Sequence, residues 1–205
     1  MEVGATLGER LPRGRHGLTR EQVVRSQRGR IFRAMAETMA RKGYAATSVS
    51  EVLQAAGVSR ETFYEQFSSK EACFMAAFET AVNGLLGAVR EAPGPGAPPF
   101  ERFERGLRAY LDALADDPAF ARVMLIEVYA AGPAALERRA ALQSGFVDAV
   151  GETLGSRTAS DRFANEALVA AISAMVTSRL AAGDVDGLRG LHRPLTDLAR
   201  RLHRG

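Results

Sequence analysis

Four residues that follow Ser59 have the types and order needed to meet a polyanion: Arg60, Glu61, Thr62 and Tyr64. A serine at that point accepts a hydrogen bond from an orphan backbone N–H and opens a helix. Phe63 and Phe67 sit four apart, so they share the inner face of that helix. Arg60, Glu61, Thr62 and Tyr64 then lie near its start or on its outward side. An exposed helix start with this chemistry suits a DNA major groove and its flanking phosphates. Arg60 is the candidate for a base edge or a phosphate, and Thr62 for a base or a thymine methyl. Glu61 either accepts from a cytosine amino group or is a surface acid that pairs with Arg60 and repels wrong sites. Lys70, in the first turn of the following helix, adds a charge and a helix dipole that both favour phosphate.

The elements that must position these residues are written in capping chemistry. Ser48 precedes Glu51 by three, and Ser68 precedes Glu71 by three, each matching a capping box. Ala56-Gly57-Val58-Ser59 reads as a helix end, a left-handed glycine, an apolar plug and a new N-cap. Two short helices joined by such a turn form a helix-turn-helix, with its second helix over 60–67. A longer helix over 20–42 precedes them, with an apolar stripe of Ile31, Met35 and Met39 and an end at Gly43. Of Thr47 and Ser48, one hydroxyl caps the second helix and the other is free to donate to a phosphate; Thr47 is the better contact candidate, and Ser48 either joins it or caps only. Val49, Val52 and Leu53 pack against the first helix.

Taken as an ordered set, Gly43-Tyr44, Thr47-Ser48-Val49, Val52, Ala56-Gly57-Val58-Ser59, Tyr64, Phe67 and Lys70-Glu71 resemble the DNA-binding region of the TetR family of bacterial transcriptional regulators. Leu53, Glu61 and Gln66 depart from the commoner pattern, which bears on the operator sequence rather than on the fold. By this resemblance Tyr64 is a phosphate ligand, although its spacing also fits a core residue. The resemblance further implies a palindromic operator bound by a homodimer and repression relieved by a small-molecule effector in a C-terminal helical domain.

Charge is distributed to match. The net charge is +3, but residues 1–70 carry 12 Lys/Arg against 7 Asp/Glu, and the remainder carries 15 against 17. Basic charge gathered at the helix-turn-helix end is what a phosphate-binding surface needs. Residues 1–18 read as a basic arm, whose Pro12-Arg13-Gly14-Arg15 resembles the core of an AT-hook. Either Arg13 and Arg15 enter a narrow minor groove, or the arm is a loosely held basic tail. The N-terminus lacks an apolar signal core, no run of 18 apolar residues occurs, and Cys73 is the sole cysteine. These features point to a cytoplasmic protein with no membrane partner.

Downstream the pattern is helical throughout, with a proline- and glycine-rich connector at 92–99, giving an all-α chain of about nine helices. The expected division is an arm over 1–18, a three-helix DNA-binding domain over 19–70 and an effector-binding and dimerisation domain over 71–205. Leu168, Ile172, Met175 and Val176 lie on a helix rich in small residues, and Leu191, Leu195 and Leu198 form a leucine seam on the last helix. Each set is either core or, by the resemblance, half of a four-helix dimer interface. Phe103, Leu107, Tyr110, Met124, Glu127, Val128 and Phe146 are the candidate walls of the implied effector pocket. Glu127, an ionisable group on an apolar face, needs either an internal arginine or tyrosine or a polar ligand. His16, His192 and His203 are too scattered for a metal or catalytic cluster, and no phosphate-loop, nucleophile-elbow or dinucleotide motif occurs. No cofactor or metal is expected. An enzyme would lack reacting groups, and the remaining rival is a DNA binder that ignores small molecules.

Overall fold

Helix starts and stops set the architecture. The computed structural model describes residues 19–94 and 96–203, so the arm with Arg13 and Arg15 lies outside the described residues. Ten α-helices and one 3-10 turn follow in order, and no strand occurs among the described residues. They are α1 Arg20–Ala46, α2 Val49–Ala56, α3 Arg60–Tyr64, α4 Lys70–Glu91, α5 Pro99–Asp116, α6 Pro118–Leu125, the 3-10 turn Glu127–Ala130, α7 Pro133–Leu154, α8 Ala159–Ala182, α9 Val185–Gly190 and α10 His192–Leu202. The chain divides into two compact units, one ending at Phe78 and the other beginning at Glu79, so the division falls inside α4 rather than at residue 70.

In the N-terminal unit, Ile31, Met35 and Met39 of α1, Val52 of α2, Phe63 of α3 and Phe74 and Phe78 of α4 are almost completely buried. Phe67 joins them through ring contacts with Phe32 and Phe63. Val49 is only half-buried. Gly43 breaks α1 with φ 81°, and Gly57 ends α2 in the left-handed region with φ 62°. The Val58 N–H reaches Leu53 O and the Gly57 N–H reaches Gln54 O, closing a Schellman motif. Alanine at position 57 would cost about 1–2 kcal/mol, because its Cβ crowds the following carbonyl there. The start of α4 differs from expectation. Ser69, not Ser68, accepts from the Ala72 N–H at 3.0 Å, so the Ser68–Glu71 capping box does not form. Cys73 is fully buried and burial pushes its thiol up to about 12, which suits a filler rather than a nucleophile. By length and composition α4 could cross a bilayer, with mean hydropathy 1.5. Its Cys73, Phe74, Ala77 and Phe78 are instead packed inside the protein.

In the C-terminal unit, Asp117 caps α6 by accepting from the Phe120 N–H, with Pro118 at the first helical position. Helix α6 then stops at Leu125 instead of running on to Ala131. On an unbroken helix, residues five apart point about 140° away from each other. The break at Ile126 accompanies the pairing of Glu127 with Arg122. The terminal leucine helix is likewise split at Leu191, since Pro194 clashes with the carbonyl four residues before it.

Burial corrects the dimer candidates. Leu168 and Val176 are 0% exposed, Leu191 5% and Leu195 1%, so these four belong to the protomer's own core. Ile172 and Leu198 are half-buried, and Met175 alone of that set is well exposed. The seam is consumed against α5 and α8, where Arg189 also pairs with Asp112 and Asp116 and Arg200 with Glu104.

The α1–α2 corner generates a pH prediction. Lys42, followed by the Ser48 hydroxyl and N–H, holds the Glu51 carboxyl down at about 2. Its stabilising effect is complete above the ordinary carboxylate value and is lost as pH falls through about 2. In Glu51→Gln the urea midpoint falls less steeply than in wild type between pH 4.5 and 2.

Candidate nucleic-acid interface

Ser59 opens α3. Ser59 accepts from the Thr62 N–H at 3.0 Å and shares a 2.9 Å hydrogen bond with the Thr62 hydroxyl, so cap and candidate contact residue are one unit. Phe63 faces inward and is fully buried, which turns Arg60, Glu61 and Tyr64 to solvent. Tyr64 is 47% exposed with its ring edge against Phe63, so it is not a core residue. The Arg60 guanidinium donates to the Ser50 hydroxyl at 3.2 Å and lies 5.9 Å from the Tyr64 ring centre. Glu61 is exposed and forms no ion pair with Arg60. Arg60, Glu61 and Tyr64, with Ser48 and Ser50 of the preceding helix, thus form an exposed polar group around the α3 start.

Two expected contact residues serve the fold instead. Thr47 is 2% exposed, and its hydroxyl donates to Gly43 O at 2.8 Å, so it cannot reach a phosphate. Lys70 is half-buried, donates to Tyr44 O at 3.0 Å and Thr47 O at 3.1 Å, and sits 4.1 Å above the Tyr44 ring. Both side chains satisfy carbonyls around the break at Gly43, as buried backbone acceptors require. Ser48 caps α2 and gives its hydroxyl proton to Glu51 at 2.7 Å, so it has no proton left for a phosphate in this arrangement.

Sequence reasoning missed three arginine and serine roles. Arg30 donates to Ala56 O at 2.9 Å and Gly57 O at 3.3 Å, placing a cation on the C-terminal carbonyls of α2. Arg28 stacks over Phe67 at 4.7 Å and Phe32 at 5.3 Å. Ser50 steadies Arg60. Only Arg28 left a local signal, standing four residues before Phe32 on one helix face. Arg20, Arg25 and Arg28 also line an open groove on α1 with Glu21 and Val24, which is a second concentration of positive charge.

The effector candidates lie in the C-terminal unit. Phe103, Leu107, Met124 and Val128 are buried, and Tyr110 meets Phe146 edge-on with ring centres 6.2 Å apart. Glu127 is 5% exposed and faces Arg122 at 3.5 Å. Arg122 is thus an internal arginine of the kind that the buried carboxylate calls for.

Residues 31–77 match the model for bacterial regulatory proteins of the tetR family. The chain is 28% identical over 130 residues to the HTH-type transcriptional activator FasR of Mycolicibacterium smegmatis, covering 63% of this chain and 54% of that protein. It is 32% identical over 122 residues to the HTH-type transcriptional regulator EthR of the same organism, covering 55% of this chain and 52% of that protein. The chain therefore spans about half the length of the curated relatives it matches. Its fold is similar to that of the fatty acid degradation regulator FadR of Bacillus halodurans, with a TM-score of 0.76 at 21% identity over 87% of this chain and 95% of that one.

Binding and folding variants separate at this corner. Arg60→Ala weakens duplex binding by about 1–3 kcal/mol while leaving the melting temperature near wild type. Thr47→Val strands the Gly43 carbonyl and destabilises the fold by about 1–3 kcal/mol, with little change in the duplex affinity of the folded protein. Fluorescence anisotropy with labelled duplexes and thermal melts measure the two effects.

Proposed function

The chain belongs to the TetR family of bacterial regulatory proteins, and we propose that it is a ligand-responsive repressor that binds a palindromic operator as a homodimer. The observation that carries this reading is the exposed start of α3, where Arg60 and Tyr64 stand outward on a helix anchored by Phe63. Arg60 and Thr62 take base edges or adjacent phosphates, Tyr64 a phosphate, and the Ser59 cap fixes their register. Glu61 excludes wrong sites through its charge. The basic groove of α1 supplies further phosphate neutralisation, which makes affinity fall steeply with salt.

Dimerisation uses a different face from the leucine seam. Helices α7 and α8 pack together yet leave a shared outer side of Ala140, Ala141, Ser144 and Gly145 on one helix and Ala167, Ala170, Ala174 and Met175 on the other. Small residues spaced three and four apart let a second helix pair approach closely. Exposed Leu136 on α7 and Phe163, 72% exposed, on α8 add apolar area that a lone protomer would leave in water. A two-fold pair also matches a two-fold DNA site.

Phe103, Leu107, Tyr110, Met124, Val128 and Phe146 furnish the effector site, with Glu127 held by Arg122 as part of its wall. An effector moves the DNA-binding equilibrium only by its differential affinity for the two states. Relatives named as an activator and as a fatty acid degradation regulator leave repression as the narrower statement of this proposal. Selection of bound fragments from bacterial genomic DNA with the purified chain tests the reading. A recurring inverted repeat supports it, and fragments without sequence preference favour a non-specific DNA binder. Ala174→Arg yields a monomer by light scattering and lowers affinity for the full palindrome, while half-site affinity stays near wild type.

A further inference from the structure

Arg139 of the C-terminal unit has no part in the regulator proposed above. It is half-buried on α7, and its contacts are all neutral. Nη1 donates to the Gln143 side-chain oxygen at 3.2 Å, Nη2 donates to the Ser173 hydroxyl at 3.2 Å, and the guanidinium lies 4.7 Å from the centre of the Tyr129 ring. Its Nε–H is buried and has no acceptor. No carboxylate pairs with it among the described residues, whereas Arg122, Arg138 and Arg200 each face one. A buried Nε–H without an acceptor is costly, and a held guanidinium keeps that Nε–H and the remaining Nη hydrogens for a planar anion.

A second group points the same way. Tyr110 is half-buried, burial pushes its phenol up to about 12, and the charge of Arg139 pulls in the opposite direction. Phe146, whose ring meets Tyr110, stands two helical turns beyond Arg139, so the two share one face of α7. A phenol, a cation without a carboxylate and an aromatic wall are therefore neighbours.

We propose that Arg139 and the Tyr110 hydroxyl hold the anionic head group, carboxylate or phosphate, of a small molecule whose apolar body lies along Phe146. This names the chemical class of the effector and rests on the regulatory reading given above. The Nε–H and one Nη–H of Arg139 fork onto two oxygens of the head group, and Tyr110 donates to one of them. Gln143, Ser173 and the Tyr129 ring keep the guanidinium in place before the ligand arrives.

The test uses the full chain with four probes of one chain length: decanoate, decyl phosphate, 1-decanol and decyltrimethylammonium, each below its micellar concentration. Thermal shift and tyrosine emission report binding, the latter cleanly because the chain has four tyrosines and no tryptophan. Wild type is stabilised by one or both anions and not by the alcohol or the cation, and the preferred anion identifies the head group. Arg139→Gln weakens the anion about tenfold or more and brings it level with the alcohol, as loss of a charged bidentate pair requires. Arg139→Lys keeps the charge but not the fork and falls in between, and Tyr110→Phe loses a smaller factor. Equal binding of anion and alcohol by wild type, no binding of either anion, or an Arg139→Gln protein that still discriminates overturns the proposal. An Arg139→Gln chain that loses its dimer while binding anion as before overturns it too, placing the missing counter-ion in the second copy. Operator binding measured on the same samples without probe separates the two ideas: if it persists while no anion binds, only the ligand assignment falls.

Discussion

How α2 stops determines what the N-terminal unit can offer. The left-handed turn at Gly57 reverses the chain within two residues, and Arg30 reaches from α1 to the last carbonyls of that helix. One side chain thereby ties the turn to the longest helix of the unit. Without that tie, α3 is a five-residue helix with a single buried side chain, far below the length at which an isolated helix persists. Its orientation is therefore a property of the corner and of Phe63, and every outward residue inherits its position from them.

The same economy governs the break at Gly43. A backbone that leaves the helix exposes carbonyls, and the chain answers with Thr47 and Lys70, both of which could otherwise have faced DNA. The positive charge left to the surface is then carried by arginines on α1 and by Arg60. In the C-terminal unit the balance is different, because Arg122 and Glu127 neutralise one another whereas Arg139 is held by neutral partners only.

Local chemistry was legible in the sequence wherever a few consecutive residues decide the outcome. Ser48, Ser59, Asp117 and Gly57 act within three or four residues of themselves, and their roles follow from spacing alone. Most of the assignments that failed depend on distant partners: nothing near Lys70 reveals that the Tyr44 and Thr47 carbonyls need a donor, and nothing near Arg30 points to Ala56. Thr47 is the exception, since its hydroxyl turns back only four residues to the Gly43 carbonyl at the expected helix end. Periodicity identified the leucine face of the last helix correctly but is silent on whether the cover comes from the same chain or another. Burial of Leu191 and Leu195 within the protomer answers that, and it moves attention to α7 and α8, whose small residues carry little apolar signal. The exposed group around Arg60 was legible in types and order, but its support by Ser50 was not.

The engagement of both lysines has a chemical corollary. Lys42 is committed to Glu51, and Lys70 to two carbonyls and an aromatic face, so ammonium groups contribute little to the outer electrostatic field. What remains is guanidinium, which stays protonated far into the alkaline range. A polyanion meeting this surface would face a charge indifferent to alkalinity and to reagents that acylate amines.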